Sequence, residues 1–170
     1  MTHLWHSIDI SRNLAGVIEM PRGTMLKYEL EKTTGALILD RVLRVPVPAN
    51  YGFFPQTLSQ DGDPLDVFVY SNYSIEPLTI VGLNIERVVM MTDNGEQDEK
   101  IIATLYGDHF PWHTTEKRVD LTLQYLQTYK QGIKILDVLD HKAALNVINI
   151  ARNNYMSKFI SPFRMLGEPK

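Results

Sequence analysis

Three carboxylates fall within the six residues Asp61-Gly62-Asp63-Pro64-Leu65-Asp66, and Val67-Phe68-Val69-Tyr70 follows at once. The β-branched and aromatic run favours a buried strand, and Asp-Gly and Asp-Pro favour a tight turn before it. The acids therefore lie on a turn and at the mouth of a strand entering the core. Two carboxylates about 4 Å apart repel by roughly 4 kcal/mol at an effective dielectric of 20. Three beside a half-buried strand end either rise in pKa or recruit a cation, and oxygen donors select a hard divalent ion such as Mg²⁺ or Ca²⁺. The competing reading is an acidic surface turn, where Asp and Gly are common. An EF-hand loop is excluded, because it wants an acid at its fifth position, Gly at its sixth and Glu at its twelfth. Here those positions hold Leu65, Asp66 and Asn72.

A second acidic stretch, Asp93 to Lys100, separates the apolar runs 78–92 and 101–106 and reads as the polar turn of a hairpin. Alone it is solvated surface; two such turns in one small β domain favour a shared site. Residues 25–31 alternate, with Leu26, Tyr28 and Leu30 on one side and Lys27, Glu29 and Glu31 on the other. Strand 37–45, carrying Asp40, Arg41 and Arg44, is expected to pair with it as a hairpin. Glu19 sits in a short strand stopped by Pro21 and, taken alone, reads as solvent-facing. Tyr51 lies in a stretch rich in Gly, Pro and aromatics, 49–55, expected to be a loop. Its hydroxyl could donate to an anion or its ring could pack in the core. Tyr129 and Lys130 fall on the last turn of a helix over 116–131, where a lysine suits the helix dipole. The pairs His3/His6 and His109/His113 have spacings that can bind metal, but solvent-exposed histidines are the better reading, and Pro111 excludes a regular helical pair.

The elements that must position these groups are mostly strands, then two helices. Val119, Thr122, Leu123, Leu126 and Tyr129 form the first helix's stripe, with Gly132 as its C-terminal cap. A short strand follows over 133–138. Asp140 caps a second helix running to about Phe159, with Ala144, Ile148, Ala151 and Tyr155 buried, and 161–170 is expected to be loose. That order suggests an α+β fold with helices set against a barrel or strongly curved sheet. The 170 residues suffice for one domain spanning 1–170, and 44% hydrophobic with 22% charged residues is ordinary for a globular protein. A net charge of −3 argues against nucleic acid, which asks for a basic surface. No apolar run approaches the ~20 residues of a membrane span. No signal peptide is evident, and the absence of cysteine excludes disulfides and agrees with a reducing, cytoplasmic setting.

Glu19, Lys27-Tyr28-Glu29, Asp40-Arg41, Asn50-Tyr51-Gly52, Asp61-Gly62-Asp63-Pro64-Leu65-Asp66, Asp93…Asp98…Lys100 and Tyr129-Lys130 together resemble the soluble family I inorganic pyrophosphatases, in that family's order and near its spacings. The likeness runs from about Val17 to Lys130. It implies a five-stranded β-barrel of OB type with packed helices, hydrolysing pyrophosphate to two phosphates with several Mg²⁺ ions. It also implies that Asp61, Asp66 and Asp98 bind activating metals, and that Asp93 joins Asp98 for those arriving with substrate. Glu19 and Glu29 would act through the metals' waters, with Lys100 beside the metal carboxylates. Asp63 would receive the proton of the attacking water. Lys27, Arg41, Tyr51, Tyr129 and Lys130 would hold the two phosphoryl groups. A homo-oligomer is expected, the short chain resembling the hexameric bacterial members. Two features depart from the family: Val47 stands where a tyrosine is common, and the 107–115 loop differs. The readings that compete are a non-catalytic OB-type binding module and a family member without activity.

Overall fold

The structure, a computed structural model, describes residues 3–6, 14–109 and 113–160. In chain order it contains β1 (Ala15–Met20), β2 (Leu26–Leu30), β3 (Leu37–Val42), β4 (Asn50–Phe53), β5 (Asp66–Tyr70), β6 (Ile80–Asp93), β7 (Glu96–Leu105), α1 (Thr115–Thr128), β8 (Ile133–Leu139) and α2 (His141–Tyr155). A 3₁₀ turn, Leu4–His6, precedes them, and a π-helical turn, Met156–Ile160, ends the described chain. The loose tail expected over 161–170 lies outside the described residues, as does the middle of the 107–115 loop.

Five strands close on themselves. β1 pairs antiparallel with β4, β4 with β5, β5 runs parallel to β7, β7 pairs antiparallel with β6, and β6 returns to β1 through Ala15–Gly82, Gly16–Val81 and Val17–Ile80. Closure removes the exposed edges that invite aggregation. β6 makes it possible, because a register shift between Ile85 and Arg87 lets its first residues meet β1 and its last six meet β8. β2 and β3 form a separate antiparallel ribbon. The α+β fold with a closed five-stranded sheet and two C-terminal helices is thus as expected, extended by β8.

Three local expectations change. The stretch 49–55 contains a strand. A Cβ on Gly52 would lie 1.8 Å from the Val17 carbonyl oxygen, so this glycine serves the close approach of β4 to β1. The polar turn over 93–100 shrinks to Asn94-Gly95, both at positive φ, and Asp93 already faces Glu96 across the hairpin. Asp98 and Lys100 therefore stand on β7. Gly132, at φ +89, does not cap α1, which ends at Tyr129; it lets the chain pass under Asn94, whose N–H donates to the Gly132 carbonyl at 2.9 Å.

Alternation along β5 feeds two cores, so the strand is apolar throughout. Val67 and Val69 pack with Ala144, Ile148 and Ala151 of α2. Phe68 and Tyr70 pack with Tyr125 and Leu126 of α1. The α2 stripe is the expected one, and Asp140 caps the helix by accepting from the Ala143 N–H at 3.0 Å. The α1 stripe is rotated. Arg118, Thr122, Tyr125 and Leu126 are buried, because Arg118 donates from Nε and Nη2 to Glu86 at 2.6 Å each and is drawn inward.

Gly52→Ala is expected to cost more than about 3 kcal/mol, beyond ordinary overpacking, since a backbone carbonyl must move; urea unfolding measures it. Burial raises the Glu86 pKa, but bonds from Arg118 and Thr115 outweigh it and hold the carboxyl below its ordinary 4.5. Because the folded value is the lower one, the pair's stabilisation is full above the unfolded pKa and fades as pH falls through the folded one. Glu86→Gln is expected to cost about 2 kcal/mol at pH 7. The gap from wild type should close as unfolding is followed from pH 5 downward.

Candidate active site

The parallel pairing of β5 with β7 sets Asp66 opposite Lys100, and Asp98 lies two residues before Lys100. Sheet neighbours and residues two apart share a face. Tyr51 and Phe53 of β4 join that face through their partners Phe68 and Asp66. The result is a compact polar cluster. Lys100 Nζ lies 2.5 Å from Asp66 Oδ2 and 3.1 Å from Asp98 Oδ2, and donates to the Tyr51 hydroxyl at 3.0 Å. Lys100 is only 6% exposed.

Around this cluster opens a cleft of about 260 Å³. Lys27 on β2 pairs with Asp40 on β3 at 3.3 Å. Lys130, just beyond α1, pairs with Asp93 at the end of β6. Lys32, past β2, pairs with Asp63 of the acidic turn. Each lysine of the cleft wall thus faces an aspartate. The turn itself is held from below. Buried Thr57 donates to the Phe54 carbonyl at 2.6 Å and accepts from the Leu65 N–H at 2.9 Å, and the Asp63 N–H donates to Asp61 Oδ1 at 2.9 Å.

Of the site residues expected from the sequence, Glu19, Lys27, Glu29, Tyr51, Asp61, Asp63, Asp66, Asp93, Asp98, Lys100, Tyr129 and Lys130 all line this one cleft. Arg41 does not; it is exposed on β3 at the margin, its guanidinium carbon 5.8 Å from the centre of the Tyr129 ring. Glu19 is buried, where its neighbours alone suggested solvent. The register shift of β1 between Ile18 and Met20 turns it inward, and it accepts from the Leu30 N–H at 2.7 Å. Burial pushes its carboxyl up to about 8 against that bond. Tyr51 packs edge-on against Phe68, and its hydroxyl accepts from Lys100. Val47 is a buried core residue with no hydroxyl to offer.

Among the cleft residues not anticipated, three bring a polar group. Tyr125 lies one helical turn before Tyr129 and stacks on it at 4.8 Å, a spacing visible in the sequence. Lys32 falls after β2 ends, where strand alternation no longer says which way a side chain points. Trp5 comes from the 3₁₀ turn and donates to the Thr57 carbonyl at 2.9 Å. His3 and His6 are engaged within the protein, His3 at the Lys32 carbonyl and His6 at the Tyr155 hydroxyl.

The central charges do not balance: Asp61, Asp66 and Asp98 face one ammonium. Burial and then Asp66 raise the Asp61 carboxyl. Burial raises Asp98 against the pull of Lys100, and Asp66 adds to the rise. For Lys100 burial works the other way, but Asp66, Tyr51 and Asp98 outweigh it and hold the ammonium's pKa well above its ordinary value. Each of these shifts favours holding more positive charge.

The family model for inorganic pyrophosphatase matches residues 16–160. The chain belongs to the inorganic pyrophosphatase family. An inorganic pyrophosphatase of Campylobacter jejuni is 33% identical over 162 residues, covering 86% of this chain and 94% of that protein. A soluble inorganic pyrophosphatase of Chlamydomonas reinhardtii is 33% identical over 94% of this chain and 91% of its own. The crystal structure of the inorganic pyrophosphatase from Thermus thermophilus superposes with a TM-score of 0.82 at 31% identity, covering 91% of this chain and 99% of that one.

Membership in the inorganic pyrophosphatase family implies a divalent metal, and the donor set fits one. The donors are carboxylate oxygens, hard ligands, and they are short of positive charge. Among the described residues no three acidic or histidine side chains already stand in chelating positions, and Lys100 is bonded to both Asp66 and Asp98. Lys100→Met should therefore cost about 2 kcal/mol in chelator, roughly 5 °C in Tm, by leaving two carboxylates facing each other. Adding a divalent cation should narrow the gap from wild type in the same thermal melts.

Proposed function

We propose that the cleft hydrolyses inorganic pyrophosphate to two phosphates, with Mg²⁺ as its metal. The observation that carries this reading is that each lysine lining one small cleft faces an aspartate. On filling, carboxylates such as Asp93 can turn to cations, and Lys27 and Lys130 to phosphate oxygens, while Lys32 stays with Asp63 and Lys100 with its carboxylates. A nucleic-acid module would instead need a basic face with stacking aromatics.

Asp61, Asp66 and Asp98 would hold activating Mg²⁺, and Asp93 with Asp98 the ions that accompany substrate. When bound, such ions neutralise phosphate charge and make water a better nucleophile at neutral pH. Phosphoryl transfer then asks the protein for positioning and charge stabilisation, with no covalent side-chain nucleophile. Lys27, Lys130, Tyr51 and Tyr129 would place the two phosphoryl groups, and Arg41, swinging from the margin, can grip one bidentately. Asp63 at the rim takes the proton of the attacking water as the bridging P–O bond breaks. Glu19 and Glu29 border the same space and order its water, and Lys100 stays beside the metal carboxylates. A cytoplasmic homo-oligomer, with a hexamer favoured, completes the reading.

With excess Mg²⁺ the purified protein should release two phosphates per pyrophosphate, and EDTA should abolish the release. Asp63→Asn should lower kcat by about 10²- to 10⁴-fold, the range for a lost general base, with an unchanged circular dichroism spectrum. A wild-type protein that leaves pyrophosphate intact would refute the assignment.

A further inference from the structure

We propose that Lys32 is a positioning residue for the reaction, holding the Asp63 carboxylate in place to meet the attacking water; this rests on the pyrophosphatase reading above. The Lys32 ammonium pairs with Asp63 Oδ1, and both side chains line the cleft. Among the described residues Lys32 is the partner of the Asp63 side chain, which is otherwise 44% exposed at the rim. A carboxylate on an exposed turn samples several rotamers, and an ammonium on one oxygen selects among them.

The backbone at Lys32 is itself held by the turn it opens. The Glu31 carboxylate accepts from the Thr33 N–H at 3.1 Å and from the Thr34 N–H and hydroxyl at 2.6 Å each. The Gly35 N–H donates to the Glu31 carbonyl at 2.8 Å and the Glu31 N–H to the Ala36 carbonyl at 2.7 Å. Outside this turn, His3 Nε2 bonds the Lys32 carbonyl at 2.6 Å. Gly35, at φ +74, leaves the room this needs, since a Cβ there would fall 2.5 Å from that of His3.

The same N-terminal segment holds the other end of the pair. The Gln56 N–H donates to the Trp5 carbonyl at 2.8 Å, and Trp5 Nε1 donates to the Thr57 carbonyl at 2.9 Å. Thr57 in turn fixes the end of the acidic turn through Leu65. The ribbon turn and the acidic turn are thus braced by one short segment, and Lys32–Asp63 is the link that reaches the cleft. Lys27 and Lys130, by contrast, pair with Asp40 and Asp93, neither of them assigned to the proton.

The test is steady-state phosphate release with excess Mg²⁺ for wild type, Lys32→Met, Lys32→Arg, Asp63→Asn and the Lys32→Met/Asp63→Asn double variant. Lys32→Met is expected to lower kcat roughly ten- to hundredfold, the scale of a misplaced reacting group, with KM within about twofold of wild type. Lys32→Arg should restore most of the loss. In the Asp63→Asn background, Lys32→Met should cause no further loss, because the two act as one unit. The inference is overturned if Lys32→Met raises KM with kcat kept, which would make the ammonium a pyrophosphate contact. Additive losses or an unchanged kcat would overturn it equally. Melting temperatures are expected to stay within about 2 °C, since an exposed pair contributes little. Should Lys32→Met fail to fold, Lys32→Gln takes its place throughout. Inactive wild type would instead sink the pyrophosphatase reading and is told apart in the first assay.

Discussion

Lys100 is almost sealed from water and touches Asp66, Asp98 and Tyr51. A buried ammonium without partners costs several kcal/mol, and so do two carboxylates brought together without a cation. Neither half of the cluster is tolerable alone. Its existence depends on the parallel register of β5 and β7, which places Asp66 beside Lys100. A slip of one residue would turn Lys100 to the face where Val67 and Ile101 pack against α2, into a dry core. Closure of the five-stranded ring and the packing of both faces forbid that slip, so the architecture and the charge cluster enforce each other.

Outward from the cluster the logic changes with exposure. The pairs Lys27–Asp40 and Lys130–Asp93 are partly open to solvent, with side chains 24% to 39% exposed. Such pairs contribute about 0–1 kcal/mol, so they can exchange partners at little cost. Lys100 cannot, because leaving Asp66 and Asp98 would strand it. A polyanion entering with its cations would therefore meet a fixed centre and a readily exchanged rim. That division follows from burial alone, and it suits a reaction in which the highly charged product must leave as easily as the substrate came.

What could be read in the chain beforehand was whatever depends on near neighbours. The turn at Asp61–Asp66, the strand after it, the β2–β3 ribbon and the α2 stripe carry their own periodicity or turn chemistry. The family likeness supplied the remaining site residues by motif, and residue periodicity alone would not have gathered them. Glu19 reads as solvent-facing because the irregularity that turns it inward belongs to the pairing of β1 with β4. Gly52 reads as a loop residue because its reason, the Val17 carbonyl, lies 35 positions away. Arg118 interrupts the expected stripe of α1 because its partner, Glu86, sits on a distant strand. In each case the deciding contact is long-range, and a local pattern holds no record of it.

The far wall of the cleft shows how a helix end can serve a polyanion despite its dipole. The C-terminal end of α1 carries partial negative charge, an unfavourable neighbour for phosphate. Lys130, the first residue past Tyr129, sets a full positive charge there, its ammonium 5.8 Å from the Tyr129 ring. Tyr125 stacks on Tyr129 with only 12° between the planes, and Tyr125 in turn meets Phe68 edge-on. The ring of Tyr129 is thereby tied to β5, the strand that carries Asp66. Arg41 borders the same ring from the ribbon side. A cation–π contact of this kind is worth about 0.5–1 kcal/mol at an exposed site. It is strong enough to keep the guanidinium near the cleft and weak enough to release it toward a phosphoryl oxygen. Ribbon and helix therefore meet through an aromatic ring, and the exposed 4.0 Å contact of Arg41 Nε with Asp40 is weak enough to break as Arg41 moves inward from the margin.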